Sequence, residues 1–299
     1  MMLEERISSL EDGWVGVKQL YLTGVAFAAL IAGPAMAADF AVPALAVPVF
    51  SWEGFYVGAN IGRAWSHSLV NSIFACPTTP TMGLCPYDDP ANLGTFSSAN
   101  SGSLTAAGLV AGGQAGYNLQ TGPVVYGVEV DFNSFHLSGS QTAGGLVPVG
   151  VGQSFLVGAN FDTHWLFTAR GRLGWTVAPQ ILLYATGGLA VTSMSVGNSF
   201  TDNAAAFGFA DNVNGSSSTS AIHLGYTVGG GGEWALNGNL SVKAEYMYVD
   251  FSSVRTTILN TNLAGAIVAD VMYTSVKLHA NVARIGLNYK FGYTPVVTR

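Results

Sequence analysis

The chain combines high hydrophobicity with very little charge. It has 299 residues, of which 49% are hydrophobic and 9% are charged, and it contains 38 glycines. Soluble domains carry about 25% charged residues, so a solvent other than water is expected to cover much of the surface. The net charge of −6 arises with only 11 Lys and Arg residues. They form no basic cluster that would neutralise phosphates, which excludes nucleic acid as an expected partner.

The N-terminal segment has the features of a secretory signal peptide. Lys18 precedes an apolar core from Leu20 to about Ala32, Pro34 interrupts the helix, and Ala35-Met36-Ala37 is a small-x-small cleavage site. We expect cleavage after Ala37, which removes residues 1–37. A membrane anchor is the weaker alternative, because the apolar core is short and is broken before any charged stop-transfer segment.

The residues before this signal do not fit it. Four acidic residues lie between positions 4 and 12, where a signal peptide would carry positive charge. We hypothesise that translation begins at Val17, since a valine codon is able to serve as a start.

The two cysteines of the chain, Cys76 and Cys85, lie close together in a stretch rich in Pro, Thr and Asp. This arrangement predicts one small disulfide formed in an oxidising compartment. Two free thiols in a loop remain the alternative, because sequence does not reveal the bond geometry.

From Trp52 onward the chain divides into eight segments of alternating apolar and polar residues. No run of about 20 apolar residues occurs there, whereas each segment has at least the ~9–11 residues of a tilted membrane-spanning strand. The pattern predicts an all-β fold, an eight-stranded antiparallel up-and-down transmembrane β-barrel over residues 51–291. A Pro/Ala-rich periplasmic linker (38–50) precedes it and a C-terminal tail (292–299) follows. The segments lie near residues 54–65, 105–118, 124–135, 163–176, 181–195, 220–234, 240–251 and 275–291.

The connections between segments alternate in length. Gln120–Pro123, Val177–Gln180 and Asn237–Asn239 are tight turns. Outer-membrane barrels have such short turns on the periplasmic side and long loops outside, whereas a soluble β-sandwich has no reason to separate them. We therefore expect extracellular loops, with loop 66–104 as the first candidate for a binding surface. The predicted loops are residues 66–104, 136–162, 196–219 and 252–274.

Alternation assigns one face of each strand to lipid and the other to the interior. Val128 and Val130 share a face, whereas Glu129 and Asp131 share the opposite one; the same reasoning puts His164 inside. A soluble barrel would turn the apolar face inward instead. The signal peptide, the glycines on the polar faces and a turn-side girdle of aromatic residues favour an apolar face toward lipid. The girdle residues are Trp52, Phe55, Tyr56, Trp175, Trp234, Tyr289 and Phe291.

Arg63 departs from this pattern, because it shares a face with Phe55, Val57 and Ile61. Two explanations are open. Arg63 reaches the lipid headgroups or lipopolysaccharide from the outer end of its strand, or a local β-bulge turns it inward.

The predicted interior contains four acids and four bases. An eight-stranded barrel is only just wide enough for side chains, and buried charges must be paired. We therefore expect a cross-strand network that fills the lumen; the alternative is a selective or gated small-solute pore. The eight residues are Glu129, Asp131, Arg170, Arg172, Glu233, Lys243, Glu245 and Arg284.

Several short motifs recur through the chain, namely Gly54–Gly62, Gly112–Asn118, Leu183–Gly188, Lys243–Tyr246 and Arg284–Phe291. Together they resemble the porin-family small outer-membrane β-barrel proteins, an OmpA-barrel-like group of alphaproteobacterial surface antigens. The resemblance covers about residues 50–291 and implies an eight-stranded barrel with exposed loops and no catalytic residues. Such barrels often end on the aromatic residue that the barrel-assembly machinery reads. Here eight residues follow Phe291, so Tyr289 and Phe291 are the candidate insertion signal.

Enzymatic sites are not expected. The five histidines stand in no recognisable catalytic motif, no metal-ligand spacing occurs, and the Gly229–Gly232 run lacks the features of a phosphate-binding loop. We therefore expect no catalytic, cofactor or metal site. The predicted function is that of a structural and surface protein, ahead of a small-solute porin and, more distantly, a lipid-modifying enzyme. The expected partners are outer-membrane lipid, lipopolysaccharide, the barrel-assembly machinery and extracellular or host ligands of the loops. The histidines are His67, His136, His164, His223 and His279.

Overall fold

The computed structural model describes residues 50–76, 87–207, 212–262 and 267–292. The predicted signal peptide, most of the linker, Cys85 and the tail beyond Gly292 lie outside these residues. Cys76 directly follows the first strand, and its pairing with Cys85 stays a prediction.

Eleven strands and one α-helix make up most of the described chain. The helix α1 covers Pro90–Ala99, and a short 3-10 turn covers Ala204–Phe207. The strands are β1 Gly54–Ala75, β2 Gly102–Thr121, β3 Val124–Phe135, β4 Ser138–Leu146, β5 Ser154–Ala178, β6 Ile181–Asp202, β7 Val213–Ala235, β8 Leu240–Phe251, β9 Val254–Asn262, β10 Ile267–Lys277 and β11 His279–Lys290.

Eight of these strands close into an antiparallel ring, as the sequence predicted. The ring runs β1, β2, β3, β5, β6, β7, β8 and β11, and β11 returns to β1. Closure pairs Tyr56 with Lys290 at one end of the seam and Ser66 with Ala280 at the other. It leaves no free strand edge around the ring. Within the described residues, no helix has both the length and the apolar character needed to cross a membrane.

Three short turns lie at one end of the ring, which we call the turn end; the opposite end is the loop end. Gly122 has a φ of +59° in the turn between β2 and β3, a conformation that glycine adopts without steric cost. Between β7 and β8, the Asn237 side chain accepts hydrogen bonds from the backbone N–H groups of Asn239 and Leu240, each at 2.9 Å. These local contacts make the tight turns.

The stretches predicted as long loops all contain parts of strands, which corrects the sequence analysis. β1 continues to Ala75, β6 continues to Asp202, and β7 already begins at Val213. The predicted loop 136–162 contains β4 and the first part of β5, and 252–274 contains β9 and part of β10. Their Ser, Thr and Asn content was mistaken for loop composition. In the strand extensions these residues occur on both faces: Ser199 is exposed, whereas Ser66 and Asn198 are buried beside inward apolar side chains such as Met194 and Val196.

The extended strands form a wall beyond the ring at the loop end. There β4 pairs with β5, β10 pairs with both β1 and β9, and the end of β9 pairs with β7. The helix α1, from the predicted loop 66–104, packs against β1.

One local prediction about register is wrong, and one open alternative is decided. A register shift between Thr163 and Leu166 in β5 reverses the alternation, so that His164 is exposed outside and Leu166 is fully buried. Around Arg63, by contrast, β1 keeps a regular register with both neighbours. The β-bulge proposed for Arg63 is therefore absent, and this side chain faces outward.

Candidate functional site

The structure places all eight charged residues of the predicted network in the barrel interior, where each is at most 5% exposed. They come from β3, β5, β7, β8 and β11, and the pleat of each strand turns them inward. We call these eight residues the interior charge cluster.

Arg170 contacts three carboxylates of this cluster. Its guanidinium forms an ion pair with Glu129, lies 2.9 Å from an oxygen of Asp131 and lies 3.1 Å from an oxygen of Glu245. Glu129 is directly opposite Arg170 in the register between β3 and β5, whereas Glu245 lies on β8 across the lumen. A single side chain thus connects opposite walls of the barrel.

Arg284 and Lys243 complete the balance of charge around these carboxylates. Arg284 lies 3.1 Å from Asp131 and 2.6 Å from Glu245, and the Nζ of Lys243 lies 2.8 Å from Glu129. Three bases therefore face three acids, as burial of charge requires.

The remaining pair, Arg172 and Glu233, forms a separate ion pair nearer the turn end. The guanidinium carbon of Arg172 lies 3.8 Å from the centre of the Tyr184 ring, a cation–π contact. The Tyr56 hydroxyl donates a 2.7 Å hydrogen bond to Glu129 and lies 3.4 Å from a nitrogen of Arg172. Tyr56 thus connects the pair to the other six residues.

The placement of Tyr56 and Trp52 corrects the predicted girdle, because both are 3% exposed and lie inside. Tyr56 has the opposite strand parity to Phe55, and this signal in the sequence would have revealed its inward direction. The other girdle residues face outward. Phe291 stacks on Phe55 with ring centres 5.7 Å apart, and Tyr289, the second residue of the candidate insertion signal, contacts Phe291.

Apolar side chains fill the interior on both sides of the interior charge cluster. At the turn end, Trp52, Val125, Leu182, Tyr184 and Ala235 form a group that we call the turn-end plug. Toward the loop end, a larger group begins at Met247, whose sulfur contacts Arg170. We call it the apolar layer; it includes Ala64, Val110, Phe135, Leu137, Leu166, Met194, Met247, Val249, Phe251, Val276, Leu278 and Val282.

A second apolar group lies at the loop end beneath α1. Asp89 caps the helix by accepting a 2.8 Å hydrogen bond from the N–H of Ala91, and Pro90 occupies the first turn, where it needs no hydrogen-bond partner. The helix thereby holds Phe96, which is fully buried, between aromatic rings from several strands. We call this group the outer aromatic cluster; its rings are Phe74, Tyr87, Phe96, Phe155 and Phe200.

The histidines do not assemble a recognisable catalytic or metal site. The His136 ring, directly after β3, is 2.9 Å from the Ser134 hydroxyl of β3 and 6.1 Å from the His164 ring of β5, and all three residues are exposed. In the described part of the chain, no carboxylate is hydrogen bonded to either ring. That part also holds no group of three or more His, Cys, Asp or Glu residues that would hold a metal ion.

Comparison with known proteins agrees with this architecture. A family model for the outer membrane protein beta-barrel domain matches residues 25–291. The 31 kDa outer-membrane immunogenic protein of Brucella melitensis is 35% identical over 292 residues, which cover 92% of this chain and 100% of that protein. The 22 kDa outer membrane protein of Rhizobium leguminosarum bv. viciae is 30% identical over 208 residues, covering 69% of this chain and 67% of that protein. The crystal structure of OprG from Pseudomonas aeruginosa has a TM-score of 0.39 and 14% identity, covering 80% of this chain and 96% of that one. The chain therefore belongs to the family of the outer membrane protein beta-barrel domain and is a protein of the cell outer membrane.

Proposed function

We propose that the protein is a non-conducting structural and surface barrel, whose interior holds the wall together and whose loop end contacts the surroundings of the cell. The observation that carries this proposal is the continuous filling of the interior: the turn-end plug, the interior charge cluster, the apolar layer and the outer aromatic cluster follow one another. Most of these side chains belong to strands or to α1; Trp52, just before β1, and Tyr87, just before α1, add to the turn-end plug and to the outer aromatic cluster.

Physical reasoning favours this function over the small-solute porin. A charged cluster alone is compatible with a selective pore, because charges line many ion pathways. Here the apolar layer covers the interior charge cluster. The layer also contains a few buried hydroxyl groups, such as those of Ser66 and Thr192, but most of its side chains are apolar, so a hydrated ion would lose much of its water on entering it. The two fully buried residues Phe135 and Leu166 are part of this barrier. An eight-stranded ring also has little width to spare.

An enzymatic function has weaker support. Ser134 and His136 supply a hydroxyl and an imidazole in contact, but a serine nucleophile also needs a group that orients the base and a site that stabilises an oxyanion. Within the part of the chain that the structure describes, neither an orienting carboxylate nor an oxyanion site is found beside Ser134 and His136. The relatives carry names of outer-membrane immunogenic proteins rather than of enzymes.

Planar-bilayer recordings test the closure directly. The purified protein, the variant Arg170→Ala and the outward-facing control Arg63→Ala are compared with a large trimeric porin that establishes sensitivity. We expect no stable current steps from the wild-type protein or from Arg63→Ala. Large, reproducible steps in the wild type that Arg170→Ala abolishes would overturn the proposal and establish the porin alternative.

Surface presentation is tested by inserting an epitope at each end of the barrel. The turn between β4 and β5 includes Gly150 and exposed apolar residues such as Val149 and Val151. An epitope after Gly150 should bind antibody on intact cells, because the loop end faces outward in outer-membrane barrels. The same epitope after Gly238, in the turn between β7 and β8, should bind only after the cells are opened. The opposite result would reverse the orientation.

A further inference from the structure

The outward-facing basic residues of the described chain lie on one side of the barrel. The described residues contain eight Lys and Arg side chains, of which four belong to the interior charge cluster and Lys290 contacts Ser51 at the turn end. The other three face outward, and all three lie on the adjacent strands β1, β10 and β9. They are Arg63, Lys277 and Arg255.

These residues form a line that rises toward the loop end, which we call the basic stripe and which includes the exposed His67. In the register, Lys277 is opposite Leu69 of β1. Ser275, two residues further, is opposite Arg255 of β9. With a rise of ~3.3 Å per residue, the stripe extends over about 25 Å along the strands.

The aromatic residues locate the stripe relative to the membrane. Phe55 belongs to the turn-side girdle, and Trp65 lies ten residues further along β1 beside Tyr246, with ring centres 6.2 Å apart. Ten residues of a strand tilted by about 40° span roughly 25 Å, the height of the apolar band of such barrels. Arg63 therefore lies at the upper border of the apolar band, and the rest of the stripe lies above it.

An apolar furrow in the outer wall begins at Arg63 and continues toward the turn end. Small outward-facing residues of three strands, Gly230, Ala244 and Ala283, form its floor, and Ile61 and Ile285 flank it. A second hollow continues it along Ile61 and Ile285. Its apolar walls within the membrane suit an acyl chain whose headgroup lies at the height of Arg63.

We propose that the basic stripe and this furrow bind one molecule of lipopolysaccharide, with an acyl chain in the furrow and the phosphates on Arg63, Lys277 and Arg255. Arginine and lysine bind phosphate through charge-assisted hydrogen bonds. The direction of the stripe selects the lipid. A glycerophospholipid has its charge in a single layer, whereas the negative groups of lipopolysaccharide continue outward from the lipid phosphates into the core sugars.

The basic stripe has accessible hydrogen-bond donors for such a ligand. Lys277 forms an ion pair with Asp250 at 3.5 Å, but its side chain remains 52% exposed, so the ammonium group is accessible. This proposal rests on the outer-membrane location and on the proposed outward direction of the loop end, and not on the closure of the lumen. A conducting lumen would therefore leave it intact.

Binding measurements on purified full-length protein test the proposal. The ligands are lipopolysaccharide with lipid A and inner core, the same molecule after enzymatic dephosphorylation, and phosphatidylglycerol. The test variant combines Arg63→Gln, Lys277→Gln and Arg255→Gln. A control adds Ser138→Lys, Ser140→Lys and Thr142→Lys to it, which restores net charge on exposed positions of β4. Heat-modifiable migration on gels verifies that each variant folds.

We expect the triple Gln variant to bind phosphorylated lipopolysaccharide at least tenfold more weakly and the dephosphorylated form as the wild type does. The β4 control should remain weak. Wild-type affinity in the triple variant would overturn the proposal, and recovery by the β4 control would show that net charge alone is responsible. Equal loss of phosphatidylglycerol binding would reassign the stripe to anionic lipid in general and overturn the choice of lipopolysaccharide.

Discussion

Replacing Arg170 by methionine removes the base with the most acidic partners in the interior charge cluster. Methionine keeps much of the apolar stem and contributes no charge. Glu129, Asp131 and Glu245 then share only Lys243 and Arg284, so one buried negative charge is left without a partner.

The expected cost of Arg170→Met is about 3–5 kcal/mol in the free energy of unfolding, the usual result of removing one partner from a buried ion pair. A loss of 4 kcal/mol corresponds to a change of about 10³ in the folding equilibrium constant. Arg170 is 3% exposed and its acidic partners are at most 5% exposed, so water screens the carboxylate that loses its partner poorly.

A second substitution restores the charge balance and tests the cause. In Arg170→Met/Glu245→Gln, Lys243 keeps Glu129 at 2.8 Å and Arg284 keeps Asp131 at 3.1 Å. If the unpaired charge is the main cost, the double variant should be more stable than Arg170→Met, although it carries one substitution more. The interaction energy of the cycle should be about 1–3 kcal/mol.

Urea unfolding of the barrel refolded into phosphatidylcholine vesicles measures these differences, with tryptophan fluorescence and gel migration as signals. Arg63→Met is the control, because it removes an arginine that faces outward, and it should change stability by less than about 1 kcal/mol. The reasoning is refuted if Arg170→Met costs no more than Arg63→Met. Additive effects of Arg170→Met and Glu245→Gln would also refute it.

Three further variants probe close packing and one buried hydrogen bond. A methyl group on Gly188 would lie 2.1 Å from the carbonyl oxygen of Ala169, whereas a methyl group on Gly187 would lie 3.6 Å from its nearest atom. Gly188→Ala should therefore lower the refolding yield in vesicles, and Gly187→Ala should not. Equal yields would contradict this close packing. Phe96→Ala should weaken the outer aromatic cluster by about 3–5 kcal/mol. The expected result is faster protease cleavage at the loop end, with unchanged heat-modifiable migration of the barrel. Unchanged cleavage would argue against an anchoring role of Phe96. Tyr56→Phe removes a 2.7 Å hydrogen bond to a charged partner and should cost about 1.5–3 kcal/mol in urea unfolding; no loss would mean that this hydrogen bond contributes nothing.

The ring of eight strands, its three tight turns and the inward direction of the interior charge cluster all follow from the sequence pattern. The reason is geometric: successive side chains of a strand point to opposite faces, and lipid on one side makes the two faces chemically distinct. Glu129 is an example: its two neighbours, Val128 and Val130, favour the lipid, so Glu129 must point into the interior.

The pattern fails where that chemical contrast disappears. In the continuation of β1, Ser66 and Ser68 point inward while Leu69 points outward, so the two faces no longer differ in polarity and the composition resembles that of a loop. The outward direction of His164 is not predictable from alternation, because alternation assumes an unbroken register and the register shift in β5 interrupts it. The girdle prediction for Tyr56 rests on residue type alone and contradicts the strand parity of this residue, which is buried.

The sequence by itself determined which side chains enter the interior, because the alternation of a strand is a local property. Only the closed ring decided which of them meet. Arg284 and Asp131 are 153 residues apart in the chain and lie 3.1 Å apart in the interior. Their contact depends on the order, stagger and closure of all eight strands, which no short stretch of sequence contains.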